Sequence, residues 1–179
     1  MTARAANDNG HVFPILDIMF SIAFICTANV CRSVMAHAIC VPESIRRGWP
    51  VQVYSGGTMD FTGTPPAIPA WFVCCQNNTP PQKDASTFVR DLPLAAIDRF
   101  FVMEREHVRI LVEDHGISSL RVSLLGSFDP KSENDEIEDP INKGSIEFSR
   151  CYARVRRCIM HYLDTTAEIP ATVNQAAAP

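Results

Sequence analysis

Residues 20–33 read Phe-Ser-Ile-Ala-Phe-Ile-Cys-Thr-Ala-Asn-Val-Cys-Arg-Ser, and no other stretch of the chain constrains its fold so tightly. The run Phe20–Ile25 is rich in aromatic and β-branched residues, as a buried strand requires. It stops at Cys26. Arg32 follows after five intervening residues, and Ser33 opens a segment of helical character. The order is strand, tight loop, helix start. A loop leading into a helix N-terminus turns its unpaired backbone N–H groups inward and holds anions. The same field favours the thiolate of a cysteine placed there. A guanidinium at the far end of the loop can grip two oxygens of a phosphate with its planar fork, which an ammonium cannot do. A nucleophile beneath an oxyanion cradle is the equipment for phosphoryl transfer through a cysteinyl-phosphate.

A bare Cys-x5-Arg is a weak pattern, since a buried cysteine closing a core strand produces it as readily. The full string Cys26-Thr27-Ala28-Asn29-Val30-Cys31-Arg32-Ser33, followed by Met35-Ala36, says more. It resembles the signature of the low-molecular-weight protein tyrosine phosphatases, Cys-x-Gly-Asn-x-Cys-Arg-Ser-Pro, which lies near the N-terminus directly after the first strand. A second passage, Leu124-Leu125-Gly126-Ser127-Phe128-Asp129-Pro130 and then Ile137-Glu138-Asp139-Pro140, is similar to the family segment that ends in the general acid. The resemblance makes Asp139 that acid, because the family's acid precedes the last helix, and Asp129 the upstream, non-catalytic Asp-Pro. The chemistry requires such a group: a tyrosyl oxygen leaves phosphorus poorly unless it is protonated as it departs.

Elements alternate along the chain. Helices are predicted over Ser33–Arg47 (Val34, Ala38 and Ile45 among its apolar positions, ended by Gly48), 65–77 (Ile68, Trp71, Phe72 and Cys75 on one side), 104–115 (closed by Gly116) and 145–164. The last carries an apolar stripe of Phe148, Cys151, Tyr152, Val155, Cys158, Ile159, Tyr162 and Leu163. Further strands are predicted at 51–54, stopped by Ser55-Gly56-Gly57-Thr58, at 99–103 and at 120–125, whereas 80–93 is hard to read. Strands separated by helices imply crossover connections and a parallel sheet covered on both faces. The expected fold is therefore α/β: a single-domain, four-stranded parallel sheet with the phosphate loop after the first strand. The domain is expected over 20–165, with a partly disordered extension at 1–19 and a disordered tail at 166–179.

Carried over residue by residue, the resemblance makes Cys26 the nucleophile and Arg32 the phosphate clamp. Thr27, Ala28, Asn29, Val30 and Cys31 form the loop; Asn29 braces its backbone and Ser33 hydrogen-bonds the Cys26 thiolate. Ser55 supports Asn29 from the second strand. Phe61 falls where the family keeps an aromatic residue on the cleft wall, although an ordinary apolar loop anchor fits it equally. Cys31 matches a second thiol that in relatives traps the oxidised nucleophile as a reversible disulfide. Four departures stand out. Ala28 replaces glycine, Val34 replaces proline, and Ile141 and Asn142 stand where many relatives have aromatic residues. An arginine of the family is missing near Ala85-Ser86.

Composition is that of a globular protein: 179 residues, 46% hydrophobic and 20% charged. A net charge of -4 argues against a nucleic-acid partner. Arg150, Arg154, Arg156 and Arg157 cluster, but at spacings that suit the wet face of a terminal helix. Seven cysteines without a secreted framework's spacing point to a reducing, cytoplasmic setting. Cys74, Cys75, Cys151 and Cys158 read as core residues. The apolar stretch 12–25 is broken by Pro14 and Asp17 and is too short for a membrane span. No cofactor or metal is expected. The expected partner is a phosphotyrosine protein or a small aryl phosphate, with no nucleic acid or membrane, and the protein is expected as a monomer or weak dimer.

Three other functions fit parts of the pattern. A thioredoxin-coupled arsenate reductase shares this fold and loop but needs two further cysteines after the third strand, and none lies between Cys75 and Cys151. Protein arginine phosphatases place threonine where Val30 stands. A catalytically weak phosphopeptide-binding module is hard to reconcile with a nucleophile, an arginine and an acid all in place.

Overall fold

The computed structural model describes residues 20–166; the extension and tail expected at the two ends lie outside them, apart from Thr166. Four parallel strands form one sheet in the order β2-β1-β3-β4. They are β1 (Phe20–Cys26), β2 (Val51–Gly57), β3 (Arg99–Val102) and β4 (Val122–Leu124). The helices are α1 (Arg32–Arg47), α2 (Ile68–Gln76), α3 (Arg105–Arg109) and α4 (Ser145–Thr165). This is the expected single-domain parallel α/β fold.

Alternation along β1 divides the core. Ile22, Phe24 and Cys26 face α1, α2 and α4, together with Phe101 and Met103. Ala23 and Ile25 face the other side, with Phe100, Val102, Val89, Ile97 and Leu111. β1 is therefore buried on both faces, as the central strand of a parallel sheet must be. Phe24 stacks on Phe101 at 5.6 Å between centroids, and Tyr162 of α4 meets Phe101 edge-on at 4.7 Å. All eight residues of the α4 stripe are buried.

Several expectations are corrected. β2 does not stop at Ser55: it runs on through Gly57, because Phe24, Ile25 and Cys26 pair with Ser55, Gly56 and Gly57. β4 shortens to three residues between tight turns at Ser119–Arg121 and Leu125–Phe128. The helix expected over 104–115 is α3 followed by a wider π-turn, Ile110–Asp114, and Gly116 closes it at φ 66°. On α1, Ile45 is exposed rather than packed.

The largest correction concerns α2. Its apolar side, Ile68, Trp71 and Phe72, faces solvent (Ile68 is 82% exposed), while Ala70, Val73 and Cys74 are buried and Cys75 is half-buried. This inner face of smaller side chains is the one that packs against both α1 and α4. Nor is the arginine cluster of α4 simply wet: Arg154 and Arg157 both bind the buried Asp129.

Candidate active site

β1 delivers Cys26 to the C-terminal edge of the sheet, the edge at which ligands bind in open α/β folds. Residues 27–31 then turn sharply into α1. Among the described residues, no backbone carbonyl accepts a hydrogen bond from the N–H groups of Thr27 to Cys31. That leaves a cradle of donors above the Cys26 sulfur. The loop is held from below by β2. Thr58 N–H donates to Cys26 O and Met59 N–H to Thr27 O, both at 2.9 Å. Gly57 lies so close beneath that a Cβ there would sit 2.8 Å from Thr27 O.

Asn29 takes the left-handed turn, φ 54°. Asparagine tolerates this region better than most residues. Ala28 is not among the residues with positive φ, so its methyl in place of glycine carries no backbone strain. The Asn29 side chain is fully engaged: Nδ2 donates to Ser33 Oγ (2.8 Å) and Ser55 Oγ (3.1 Å), and Oδ1 accepts from Thr87 N–H (3.0 Å). Ser33 Oγ lies 3.0 Å from Cys26 Sγ.

Arg32 is 1% exposed. Its Nη1 donates to Glu104 and to Ile137 O (3.0 Å), and its Nη2 donates to Asp139 and to Thr27 Oγ1 (3.3 Å). Nε is buried without a partner. A buried donor left open beside a cradle of backbone N–H groups is a place for an oxyanion. Burial opposes the guanidinium charge, yet Cys26, Asp139 and Glu104 outweigh it and hold its pKa above the usual arginine value.

Asp139 reaches this site from a long irregular segment. Its Oδ1 accepts from Ile141 N–H at 3.0 Å, fixing the turn at Pro140 while Oδ2 meets Arg32. Asp129 is elsewhere. It is buried and receives Lys131 N–H (3.1 Å), Arg154 Nε (3.2 Å) and Arg157 Nε and Nη2 (3.1 and 2.9 Å). Burial alone would raise its pKa, but Arg157, the Lys131 N–H and Arg154 hold it below the usual carboxylate range. Arg154 also binds Glu136 O at 2.7 Å and Ile137 N–H binds Met103 O at 2.8 Å, so the segment carrying Asp139 is clamped to both α4 and β3.

Phe61 lies in the loop after β2 that is bonded to the phosphate loop, and at 45% exposed it is no buried anchor. Cys31 is buried, its thiol pushed up to about 12 chiefly by burial. Cys74, Cys151 and Cys158 are buried likewise and are also pushed up to about 12.

Three participants escaped the sequence reading. Glu104 and His107 start α3 with a reciprocal cap in which the Glu104 N–H donates to His107 Nδ1 at 3.2 Å. The Glu-x-x-His spacing at a helix entry was the signal available. With Nδ1 accepting, His107 Nε2 carries the proton and donates to Thr27 Oγ1 at 3.0 Å. Burial and then Arg32 push His107 down to about 4, so it is neutral here. The third is Lys83, whose Nζ donates to Asn29 Oδ1 and Ser55 O, each at 2.8 Å. A lone lysine in an irregular loop gives no sequence signal.

A parallel sheet that ends its central strand under an oxyanion loop, with a buried arginine and a facing carboxylate, defines an α/β phosphate-handling domain. The chain belongs to the low molecular weight phosphotyrosine protein phosphatases, a hydrolase family whose model matches residues 21–175. Among relatives, low molecular weight protein-tyrosine phosphatase A of Mycobacterium tuberculosis is 31% identical over 143 residues, covering 77% of this chain and 86% of the relative. The human low molecular weight phosphotyrosine protein phosphatase is 26% identical over 152 residues, covering 80% and 94%. Two solved structures share the fold. The low molecular weight protein tyrosine phosphatase of T. tengcongensis has a TM-score of 0.75 at 21% identity, covering 82% of this chain and 99% of that one. The YwlE arginine phosphatase of Geobacillus stearothermophilus has a TM-score of 0.72 at 20% identity, covering 81% and 91%.

Proposed function

We propose that the protein hydrolyses phosphotyrosine through a cysteinyl-phosphate on Cys26. The observation that carries this reading is the buried, unpartnered Nε of Arg32 beside a loop of free backbone donors, with Asp139 held on the same guanidinium. A phosphoryl group entering the loop takes Nε and the N–H groups of residues 27–31 as donors for its oxygens. The Cys26 thiolate attacks phosphorus while the bond to the tyrosyl oxygen breaks, and Asp139, having taken up a proton from solvent as the phosphoryl group displaces it from Arg32, gives that proton to the departing oxygen. Water then attacks phosphorus, Asp139 takes back a proton, the sulfur–phosphorus bond breaks and phosphate leaves. Ser33, donating to the sulfur, stabilises the thiolate at the start and at the end.

Steady-state hydrolysis of an aryl phosphate at mildly acid pH tests this, repeated with phosphotyrosine, phosphoserine and phosphoarginine peptides and with a chelator present. The expected result is chelator-insensitive turnover that prefers phosphotyrosine, with a phosphorylated Cys26 trapped by acid quench and found by mass spectrometry. Full activity in Cys26→Ser, or a preference for phosphoarginine, would overturn it.

A further inference from the structure

Lys83 lies in the irregular segment after α2, half-buried against the underside of the phosphate loop. Its two acceptors, Asn29 Oδ1 and Ser55 O, are both neutral. A carboxamide has two donor hydrogens and two acceptor lone pairs. In Asn29 all four are used: Lys83 and Thr87 donate to Oδ1, and Nδ2 donates to Ser33 and Ser55. Ser33 Oγ, already accepting from Asn29, has its own hydrogen left for Cys26 Sγ at 3.0 Å. Three hydrogen bonds thus point one way, from ammonium through carboxamide and hydroxyl to sulfur.

We propose that Lys83 is a positioning residue of this site, its charge orienting the Asn29–Ser33 chain so that it donates to Cys26 and favours the thiolate. The inference rests on Cys26 being the nucleophile. Successive hydrogen bonds polarise one another in a low-dielectric interior, so a cation at the far end strengthens the last donor in the chain. Burial draws Lys83 down to about 8 while Cys26 opposes the shift, so the ammonium persists through the mildly acid to neutral range. The other ionisable groups around it are few. His37 of α1 faces Lys83, and burial, then the charge of Lys83, hold its imidazole below the usual histidine value. Arg32 of α1, Cys31 in the loop and Cys151 of α4 share the field of Cys26. Of these only Arg32 is a cation, and its charge is shared with Glu104 and Asp139.

The test is the pH profile of Cys26 alkylation by iodoacetamide, followed by peptide mass mapping in wild type, Lys83→Met, Lys83→Gln and Lys83→Arg. It needs no turnover. Lys83→Met and Lys83→Gln are expected to move the profile upward by about one pH unit, and Lys83→Arg to restore most of it. In the two neutral variants kcat/KM for an aryl phosphate at pH 6 is expected to fall about tenfold, while inorganic phosphate binds within about threefold of wild type. An unmoved profile in folded Lys83→Met or Lys83→Gln overturns the proposal. So does a parallel loss of phosphate binding, which marks a purely structural brace. If Lys83→Met does not fold, Lys83→Gln, which keeps a donor, decides the matter alone. A wild type that alkylates as expected but hydrolyses no aryl phosphate would sink the phosphatase reading and leave the thiolate chain standing.

Discussion

Two aspartate–proline pairs sit ten residues apart, and the structure gives them different work. Asp139 meets Arg32 at the site, whereas Asp129 is enclosed by Arg154, Arg157 and the Lys131 N–H. Asp139→Asn is therefore expected to cut turnover by about 100-fold or more for poor leaving groups and far less for activated phenols, read as a series of substituted phenyl phosphates. Asp129→Asn leaves two guanidinium groups short of their buried partner. It is expected to cost roughly 3 kcal/mol in urea denaturation while the leaving-group dependence stays that of wild type. Reversed outcomes would move the acid to Asp129. Arg32→Lys retains the charge but loses the fork and the Nε donor. Its kcat/KM is expected to drop by well over about tenfold, and a smaller loss would mean that Nε contributes little.

At the scale of elements, the phosphate loop depends on the strand beneath it as much as on its own residues. Gly57 closes β2 under the loop, with room for no side chain between it and Thr27, Ala28 and Asn29. Gly57→Ala is expected to push the loop off its geometry and lower kcat/KM by about 100-fold, since misplacements near 1 Å have that effect. Retained activity in a folded Gly57→Ala protein would show that the loop can shift without cost. Gly126 plays a like part for the acid segment, because a Cβ there would lie 2.1 Å from Asp135 O. α2 offers a different check. Replacing the outward Ile68 by glutamine is expected to change stability by no more than about 0.5 kcal/mol, whereas the inward Val73→Ala is expected to cost about 2 kcal/mol. Equal losses on the two faces would contradict the orientation of the helix.

For the whole molecule, His107 ties stability to pH. It is buried, and its folded-state pKa of about 4 lies below the roughly 6.5 of an exposed histidine. The unfolded chain therefore binds the proton more readily between those values, and stability falls as pH drops from about 6.5 towards 4. Roughly 3 kcal/mol is at stake over that window. Urea midpoints at pH 7 and pH 5 should diverge in wild type and diverge less in His107→Gln, where His37, also lowered by burial, still titrates, and an equal pH dependence in both would dismiss the role.

Local patterning of the chain was enough for the parallel α/β domain and for the loop between Cys26 and Ser33. Such features rest on local pattern: a strand run, a tight loop, a helix stripe and a short string that chemistry constrains at fixed spacing. What surrounds Arg32 and Asn29 is set by how the chain folds back on itself. Glu104 lies 72 residues from Arg32 and Lys83 lies 54 from Asn29. Contacts across such separations arise from the crossover topology and leave no periodic trace. The inward face of α2 was settled in the same way. Its large apolar residues read as the buried side, but the face that packs against α1 and α4 carries the smaller Ala70, Val73 and Cys74 instead.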